Sequence, residues 1–307
     1  MAYPPELRRE IMGDITKHLS LQDYVRFGAI HSSWSARAKA NYHSSHHRYP
    51  LLIVNDYNLG GNPRLYNIFN QSFYPLDLPP GYHCCGSSRG WLLMMNSSRK
   101  MCLFNPFSKT RIDLPLFLLS EREYRGYKRV GEQMDRPLHE IFLERLIFRA
   151  VLSADPEKCS DYIIMVISRG ASDLRFWRSG DSSWTRIRDR TRDFLDVVWY
   201  NGAFHALSMF NEVFVVCLSP NLKLKRIARK PNSLHTISRY LVDCMGDLLI
   251  VERKTTEKYA MHTSTHAFLV FKLDEKDMKF TKVESIGNHA LFLGRNSTIA
   301  IPTGQVL

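Results

Sequence analysis

The stretch Gly90–Pro115, GWLLMM-NSSRK-MCLFNP-FSK-TRIDLP, decides the reading of the fold. It parses as strand, turn, strand, turn, strand: short apolar runs separated by polar clusters and punctuated by Gly, Pro and Asn. A second copy follows at residues 202–227, GAFHAL-SMFN-EVFVVCLSP-NL-KLKRI. Between the two, residues 146–187 keep the same rhythm in LIFRAVLSA, DYIIMVISRG, DLRFWRSG and SSWTRI.

Fainter echoes run along the rest of the chain. LDLP at 76–79 returns as IDLP at 112–115, 36 residues later. A basic-then-branched triplet marks strand ends: TRI at 110–112 and 185–187, KRI at 225–227 and TKV at 281–283. A turn glycine precedes an apolar run at Gly90, Gly202 and Gly246, the last two 44 residues apart. Periods of about 40–50 residues, each holding several short strands, are what propeller blades require. Residues 116–144 break the period. SEREYRGYKRVGEQMDRP is charged and lacks apolar rhythm, which predicts an exposed insertion.

The first forty residues obey a different period. Leu7, Ile11, Ile15 and Leu19 recur every four residues and place one apolar stripe on a helix. Pro4 and Pro5 sit where a helix starts without needing their missing donors. Ser20 reads as the N-cap of a second helix lined by Leu21, Tyr24, Val25, Phe27 and Ala29. Ser32 or Ser33 caps a third that contains Trp34. Three helices this short expose more apolar surface than they can bury among themselves.

Bulk composition sets the outer limits. The 307 residues suit one large domain plus a small one. An apolar fraction of 44% and 17 Phe, 14 Tyr and 5 Trp exclude a disordered chain. Residues 1–20 are charged and interrupted, unlike a signal peptide, and no apolar run has the length of a membrane span. The expectation is therefore a cytoplasmic and/or nuclear protein that does not enter membranes. The six cysteines form no CxxC pair and no zinc spacing, so reduced, buried thiols are expected. The sequons at Asn70, Asn96 and Asn296 are expected to stay unmodified.

Several chemistry-like features have blander readings. His43, His46 and His47 lack metal-ligand spacing and read as a linker. Cys84–Cys85 reads as two small apolar residues on a strand. Seven arginines between Arg169 and Arg192 lie among Phe176, Trp177 and Trp184, a mixture found in nucleic-acid binders. The interleaved Asp173, Asp181, Asp189, Asp193 and Asp196 favour a solvated face with ion pairs instead. KLKRIARK at 223–230 alternates like a half-buried strand. No phosphate loop, nucleophile elbow or carboxylate pair is present, so no catalytic residue, cofactor or metal is assigned.

The front segment, PPELRREIMGDITKHLSLQDYVRFGAIHSSWSARA, resembles the F-box motif. Pro4, Pro5, Glu6, Leu7, Ile11, Leu19, Ser20, Asp23, Val25, Phe27 and Trp34 match its pattern, whereas Tyr3, Arg8 and His31 depart from it. The remainder resembles the KIB-type domain found behind F-boxes in plants. The likeness takes in GSSRGWLLM, LFNPFSKTRIDLP, Tyr240–Asp243, Gly246, Leu248–Val251, Phe271–Leu273, Lys282–Gly287 and Ala290–Ser297. Together the two resemblances imply an α+β multidomain chain. A three-helix F-box at 1–45 would precede a mostly-β, kelch-like propeller at 46–307 carrying a charged insertion at about 116–144. The last blade would be short of strands or closed by the segment around Leu51–Val54.

The resemblance also implies a function. The chain would be the substrate receptor of a Skp–cullin–F-box ubiquitin ligase, without catalysis of its own. Pro4, Pro5, Leu7, Ile11, Leu19, Leu21, Val25, Phe27 and Trp34 would meet the Skp adaptor and through it a cullin. The propeller would hold an unidentified target protein. The rival reading is a basic propeller that binds nucleic acid or a protein scaffold outside ubiquitin chemistry, suggested by the net charge of +12. Of its two ligands, nucleic acid is the less expected.

Overall fold

A computed structural model describes residues 11, 14–15, 51–54, 63–68, 71–134, 146–168, 173–187, 193–230, 236–256, 264–294 and 296–303. The chain divides into two compact units. One comprises Met1–Leu78, Asn105–Thr110 and Thr303–Leu307, the other Pro79–Phe104 and Arg111–Pro302. In the first unit, β1 (Leu51–Val54), β2 (Arg64–Asn67) and β3 (Ser72–Pro75) form an antiparallel sheet in the order β1-β2-β3.

The second unit is a five-bladed propeller. Its first sheet holds β4 (Tyr82–Ser88), β5 (Trp91–Asn96), β6 (Met101–Phe104) and β7 (Arg111–Leu114). The second holds β8 (Ile147–Leu152), β9 (Ile163–Ser168), β10 (Asp173–Arg178) and β11 (Thr185–Ile187). The third holds β12 (Phe194–Tyr200), β13 (Ala203–Ser208), β14 (Glu212–Cys217) and β15 (Lys223–Arg229). In the fourth are β16 (Thr236–Cys244), β17 (Asp247–Thr256), β18 (Ser264–Asp274) and β19 (Lys279–Val283), and the fifth pairs β20 (His289–Leu293) with β21 (Thr298–Pro302). Within each four-stranded sheet the strands lie in sequence order. First strands of successive sheets approach one another, β4 to β8, β8 to β12 and β12 to β16, so they line the centre and the fourth strands form the rim. Thr298 Oγ1 donates to Leu241 O (3.2 Å), and Ser87 Oγ lies 3.1 Å from Ser297 Oγ, joining the fifth sheet to both neighbours.

The echoes in the sequence turn out to be positions in the blade. TRI, TRI, KRI and TKV fall in β7, β11, β15 and β19, the rim strand of each four-stranded sheet. Gly90, Gly202 and Gly246 precede the second strands. Each completes a two-residue turn in which both residues have positive φ: Arg89–Gly90 (54°, 82°), Asn201–Gly202 (46°, 76°) and Met245–Gly246 (53°, 90°). That is the turn whose twist matches antiparallel strands, and its second position favours glycine.

Two expectations need correction. The three-strand unit is a four-strand unit: the central strands β4, β8, β12 and β16 share no readable echo. LDLP at 76–79 is not a strand, although IDLP contributes to β7. Among the described residues the last sheet holds two strands, while Leu51–Val54 is the edge of the β1-β2-β3 sheet.

The core is a series of wedges between sheets. β9 shows why its run IIMVI is uninterrupted. Ile164 and Val166 pack in the wedge toward the first sheet, and Met165 and Ile167 in the wedge toward the third. In β17, Leu248 and Ile250 face the third sheet and Leu249 and Val251 the fifth. Both faces of a propeller sheet are covered, so the polar–apolar alternation of a half-buried antiparallel strand disappears. Each such side chain contributes about 1.5–3 kcal/mol when fully removed from water.

A β-bulge recurs in every central strand of the four-stranded sheets, at Cys84/Gly86, Ile147/Arg149, Phe194/Asp196 and Thr236/Ser238. Bulges bend a strand and re-aim the residue that follows. In the first three of these sheets that residue, Gly86, Arg149 or Asp196, meets a neighbouring blade. Gly86 leaves so little room that a Cβ added to it would lie 2.8 Å from Ala150 Cβ. Arg149 grips Asp196 through Nε–Oδ1 (2.5 Å) and Nη2–Oδ2 (2.6 Å), both side chains buried. Asp196 also accepts from Val197 N (2.7 Å) and Leu241 N (2.8 Å), so one carboxylate ties the second, third and fourth sheets.

Candidate protein-binding surface

Antiparallel strands taken in order send their connections alternately to the two ends of the propeller. At one end, the first and second strands of three sheets are joined by the two-residue turns, which hold little side-chain variety. The other end receives the second-to-third and sheet-to-sheet connections, including the long passage from β7 to β8 and the tip 209–211 between β13 and β14. Rigid sheets presenting varied loops are the usual platform for recognition.

The passage from β7 to β8 is largely exposed among its described residues, as the sequence predicts, but it is helical and anchored by a few buried side chains. It contains α1 (Glu121–Met134). Ser120 and Glu123 form a capping box: Ser120 N donates to Glu123 Oε2 (2.7 Å), and Glu123 N donates to Ser120 Oγ (3.4 Å). Glu123 is buried and also pairs with Arg175 of β10, whose Nη1 donates to Leu118 O (2.6 Å) while its guanidinium lies 4.7 Å from the Phe117 ring centre. Arg186 of β11 pairs with Asp173. Burial works to raise the Glu123 pKa, but hydrogen bonds from Ser120 and the charge of Arg175 outweigh it and hold the carboxyl below its ordinary value. The helix is thus pinned to the second sheet by charge, and Phe117 and Tyr127 join the core between the first and second sheets. The arginine-rich stretch does form ion pairs, but Asp173, Arg175 and Asp196 are buried rather than on a solvated face. Leu116, Leu118 and Tyr124 remain exposed, Leu118 by 61%.

The tip between β13 and β14 is small and firmly held. Ser208 Oγ accepts from Phe210 N (3.3 Å) and Glu212 N (3.2 Å), and Asn211 N donates to Ser208 O (3.1 Å). Met209 N donates to Asp193 O (2.8 Å), and Lys230 N donates to Asn211 O (2.9 Å). Met209 and Phe210 are nevertheless 45% exposed each. Large apolar side chains displayed on an ordered turn are the kind of anchor that dominates protein contacts.

For bond chemistry the described residues offer little. They contain no group of three or more His, Cys, Asp or Glu placed to hold a metal ion. Burial pushes the Cys84 and Cys102 thiols up to about 11 and raises Cys85 further, which disfavours the nucleophilic thiolate. Cys84 and Cys85 lie on β4, and KLKRIAR forms β15 with partly buried Leu224 and Ile227, as their spacing predicts.

Of the nine residues assigned to adaptor contact, Ile11 is helical and 47% exposed. Pro4, Pro5, Leu7, Leu19, Leu21, Val25, Phe27 and Trp34 lie outside the described residues, as do His43, His46 and His47. The pinned helix and the Met209–Phe210 tip escaped the sequence reading. The first had a legible signal, Ser-x-x-Glu at 120–123, masked by the lack of apolar rhythm after it.

Five blades with rim, centre and insertion so arranged can be set beside known proteins. Residues 65–306 match the family described as the KIB1-4 beta-propeller. The chain belongs to the KIB1-4 β-propeller family. All five blades fall inside the matched span. Among Arabidopsis thaliana proteins, this KIB1-4 propeller chain is 27% identical to F-box protein At2g26160, over 71% of this chain and 70% of that one. It is 24% identical to F-box protein SKIP23, over 98% and 80%. With F-box/kelch-repeat protein KIB1 it shares 26% identity, over 93% and 71%. No helix among the described residues is long and apolar enough to cross a membrane.

Proposed function

We propose that this chain is the target-recognition subunit of a Skp–cullin–F-box ubiquitin ligase. Residues 1–45 form the F-box and dock on the Skp adaptor through Pro4, Pro5, Leu7, Ile11, Leu19, Leu21, Val25, Phe27 and Trp34. The propeller holds the target with the loop-rich end that carries Met209, Phe210 and the α1 connection. The chain itself makes and breaks no bonds. Its contribution is proximity, raising the effective concentration of the target beside a ubiquitin-loaded enzyme.

The observation that carries this reading is the extent of the likeness to SKIP23. An alignment over 98% of the chain has to run through the front forty residues as well as the propeller. That front segment resembles the F-box pattern from Pro4 to Trp34, with departures at Tyr3, Arg8 and His31, and its apolar surplus calls for a partner.

The test is co-purification with the Skp adaptor. Val25→Asp or Leu19→Asp would place an unpaired charge in an apolar contact, a change of several kcal/mol. Recovery of the adaptor is expected to fall at least about tenfold, since each 1.4 kcal/mol is a factor of ten, while the propeller's unfolding transition stays in place. Equal recovery with the wild type and both variants would remove the F-box assignment.

A further inference from the structure

The rim strands of the propeller are not alike in charge. On β7, Arg111 is paired with Asp113 (2.7 Å), and on β11, Arg186 is paired with Asp173. β15 carries Lys223, Lys225, Arg226 and Arg229, all exposed, and no acidic residue. Arg226 pairs with Glu212 (2.8 Å); Lys223, Lys225 and Arg229 have no acidic partner among the described residues. β19, which approaches β15 along the rim, adds Lys279, also without an acidic partner among the described residues, together with Lys282 paired to Glu284 (2.7 Å). Among the rim strands, the longest run of cations therefore lies on β15, where the third and fourth sheets meet.

The register places the charges. Lys225 stands opposite Val215 and Lys223 opposite Cys217, so both lysines share one face of the sheet. The bulge between Val213 and Phe214 puts Ala228 on that face too, and Ala228 packs toward Leu273 and Phe280 of the fourth sheet. The two lysines thus look along the cleft toward β19. β15 also ends its sheet, so among the described residues no strand hydrogen-bonds to its outer edge.

We propose that β15 is a docking edge for an extended acidic peptide segment, which adds as a fifth strand and sets alternate carboxylates against Lys223 and Lys225. Residues of a β-strand recur on one face every two positions, about 6.7 Å, so acids at alternate positions keep the spacing of the two lysines. Backbone pairing supplies affinity and the side-chain pattern supplies selection, as in other strand-addition complexes. Exposed lysines on an edge repel a basic strand and lose hydration without compensation beneath a neutral one, so the same charges that keep the edge from self-pairing admit an acidic one. Single-stranded nucleic acid fits less well: it is held by aromatic side chains on which bases stack, and β15 has none.

This inference rests on the ligase reading only in calling such a peptide a target. Peptide binding is measured on the full chain without the adaptor, so its failure is separate from failure of the F-box assignment. The probe is a short fluorescent peptide alternating Glu and Val, followed by anisotropy at low ionic strength. Saturable binding is expected, at least about tenfold weaker in the Lys223→Glu/Lys225→Glu variant, the scale of two reversed ion pairs. Arg178→Glu, an exposed change on β10, should bind like the wild type. A peptide of the same composition with its Glu residues contiguous, and one N-methylated at alternate residues, should both bind more weakly. The proposal is overturned if the wild type does not bind, if the double variant binds equally, or if either altered peptide matches the alternating one. A single-stranded oligonucleotide that binds more tightly through the same lysines would also overturn it, assigning the strip to nucleic acid.

Discussion

Two junctions of the propeller solve the same problem with different physics. Between the first and second sheets, contact is made by shape. Gly86 gives way to Ala150, Leu152 N donates to Ser88 Oγ (3.0 Å), Arg89 Nε donates to Leu152 O (3.1 Å), and the α1 connection fills the wedge with Phe117 and Tyr127. Between the second and third sheets, the apolar wedge around Met165 and Ile167 is joined by a buried Arg149–Asp196 pair that also engages Leu241 of the fourth. Both devices occupy the position just after the central-strand bulge. A repeated backbone feature therefore dictates where blades are joined but not by what chemistry.

The charge junction should be the more fragile. Asp196→Ala leaves the Arg149 guanidinium buried without its carboxylate and strips the acceptor from Val197 N and Leu241 N. A loss of about 3–5 kcal/mol is expected, because an uncompensated buried charge costs more than the pair contributes. Urea unfolding would measure it. Arg149→Met combined with Asp196→Leu should recover much of the loss, and a double variant as unstable as Asp196→Ala would show that hydrogen bonding to Leu241 matters more than charge.

Next in size is the pin that holds the insertion. Glu123→Gln is expected to cost about 3 kcal/mol by leaving Arg175 buried without its ion. It should also change the pH dependence. The folded-state pKa of Glu123 is depressed, so its contribution is complete above the ordinary glutamate value and is lost as pH falls through the folded value. Amide exchange in α1 should rise on acidification in the wild type before the sheets open, and this acid-linked step should vanish in Glu123→Gln.

The shape junction should yield to a smaller insult. Gly86→Ala forces a methyl against Ala150 and should cost about 1–3 kcal/mol, the usual range for overpacking. Ala150→Gly in the same chain should restore most of it, and a double-mutant cycle with no coupling would mean that the two residues do not meet as closely as 2.8 Å.

Smallest is a change expected to help. Gly126 lies within α1, exposed, and a Cβ added to it would meet nothing within 4 Å. Gly126→Ala should stabilise by about 0.5–1 kcal/mol, the helix-interior difference between the two residues. A lower thermal midpoint would contradict the helical assignment of the insertion.

How legible this was depended on whether the cause was local. Two-residue turns need positive φ, and Gly90, Gly202 and Gly246 advertise it at the right spacing. Rim strands need a polar edge and an apolar side, which TRI, KRI and TKV display. The central strands carry no shared signature, because YHCCGSS, IFRAVL, FLDVVWY and TISRYLVDC are each shaped by a different neighbour. The helix of the insertion was hidden for a related reason: charged residues dominate it, and Glu123 and Tyr127 are the buried side chains among its described residues.

The sequence by itself determined a repeating β architecture, a basic chain and a front segment whose four-residue apolar spacing resembles the F-box pattern, all properties of short stretches and their periods. Only the tertiary structure decided that Asp196 meets Arg149, that Glu123 meets Arg175, and that three cations of β15 without an acidic partner among the described residues stand together on a rim. Those pairings join residues 47 and 52 positions apart, or depend on which strand lies at the edge. The arrangement of blades brings such partners together, and no local preference of the chain encodes it.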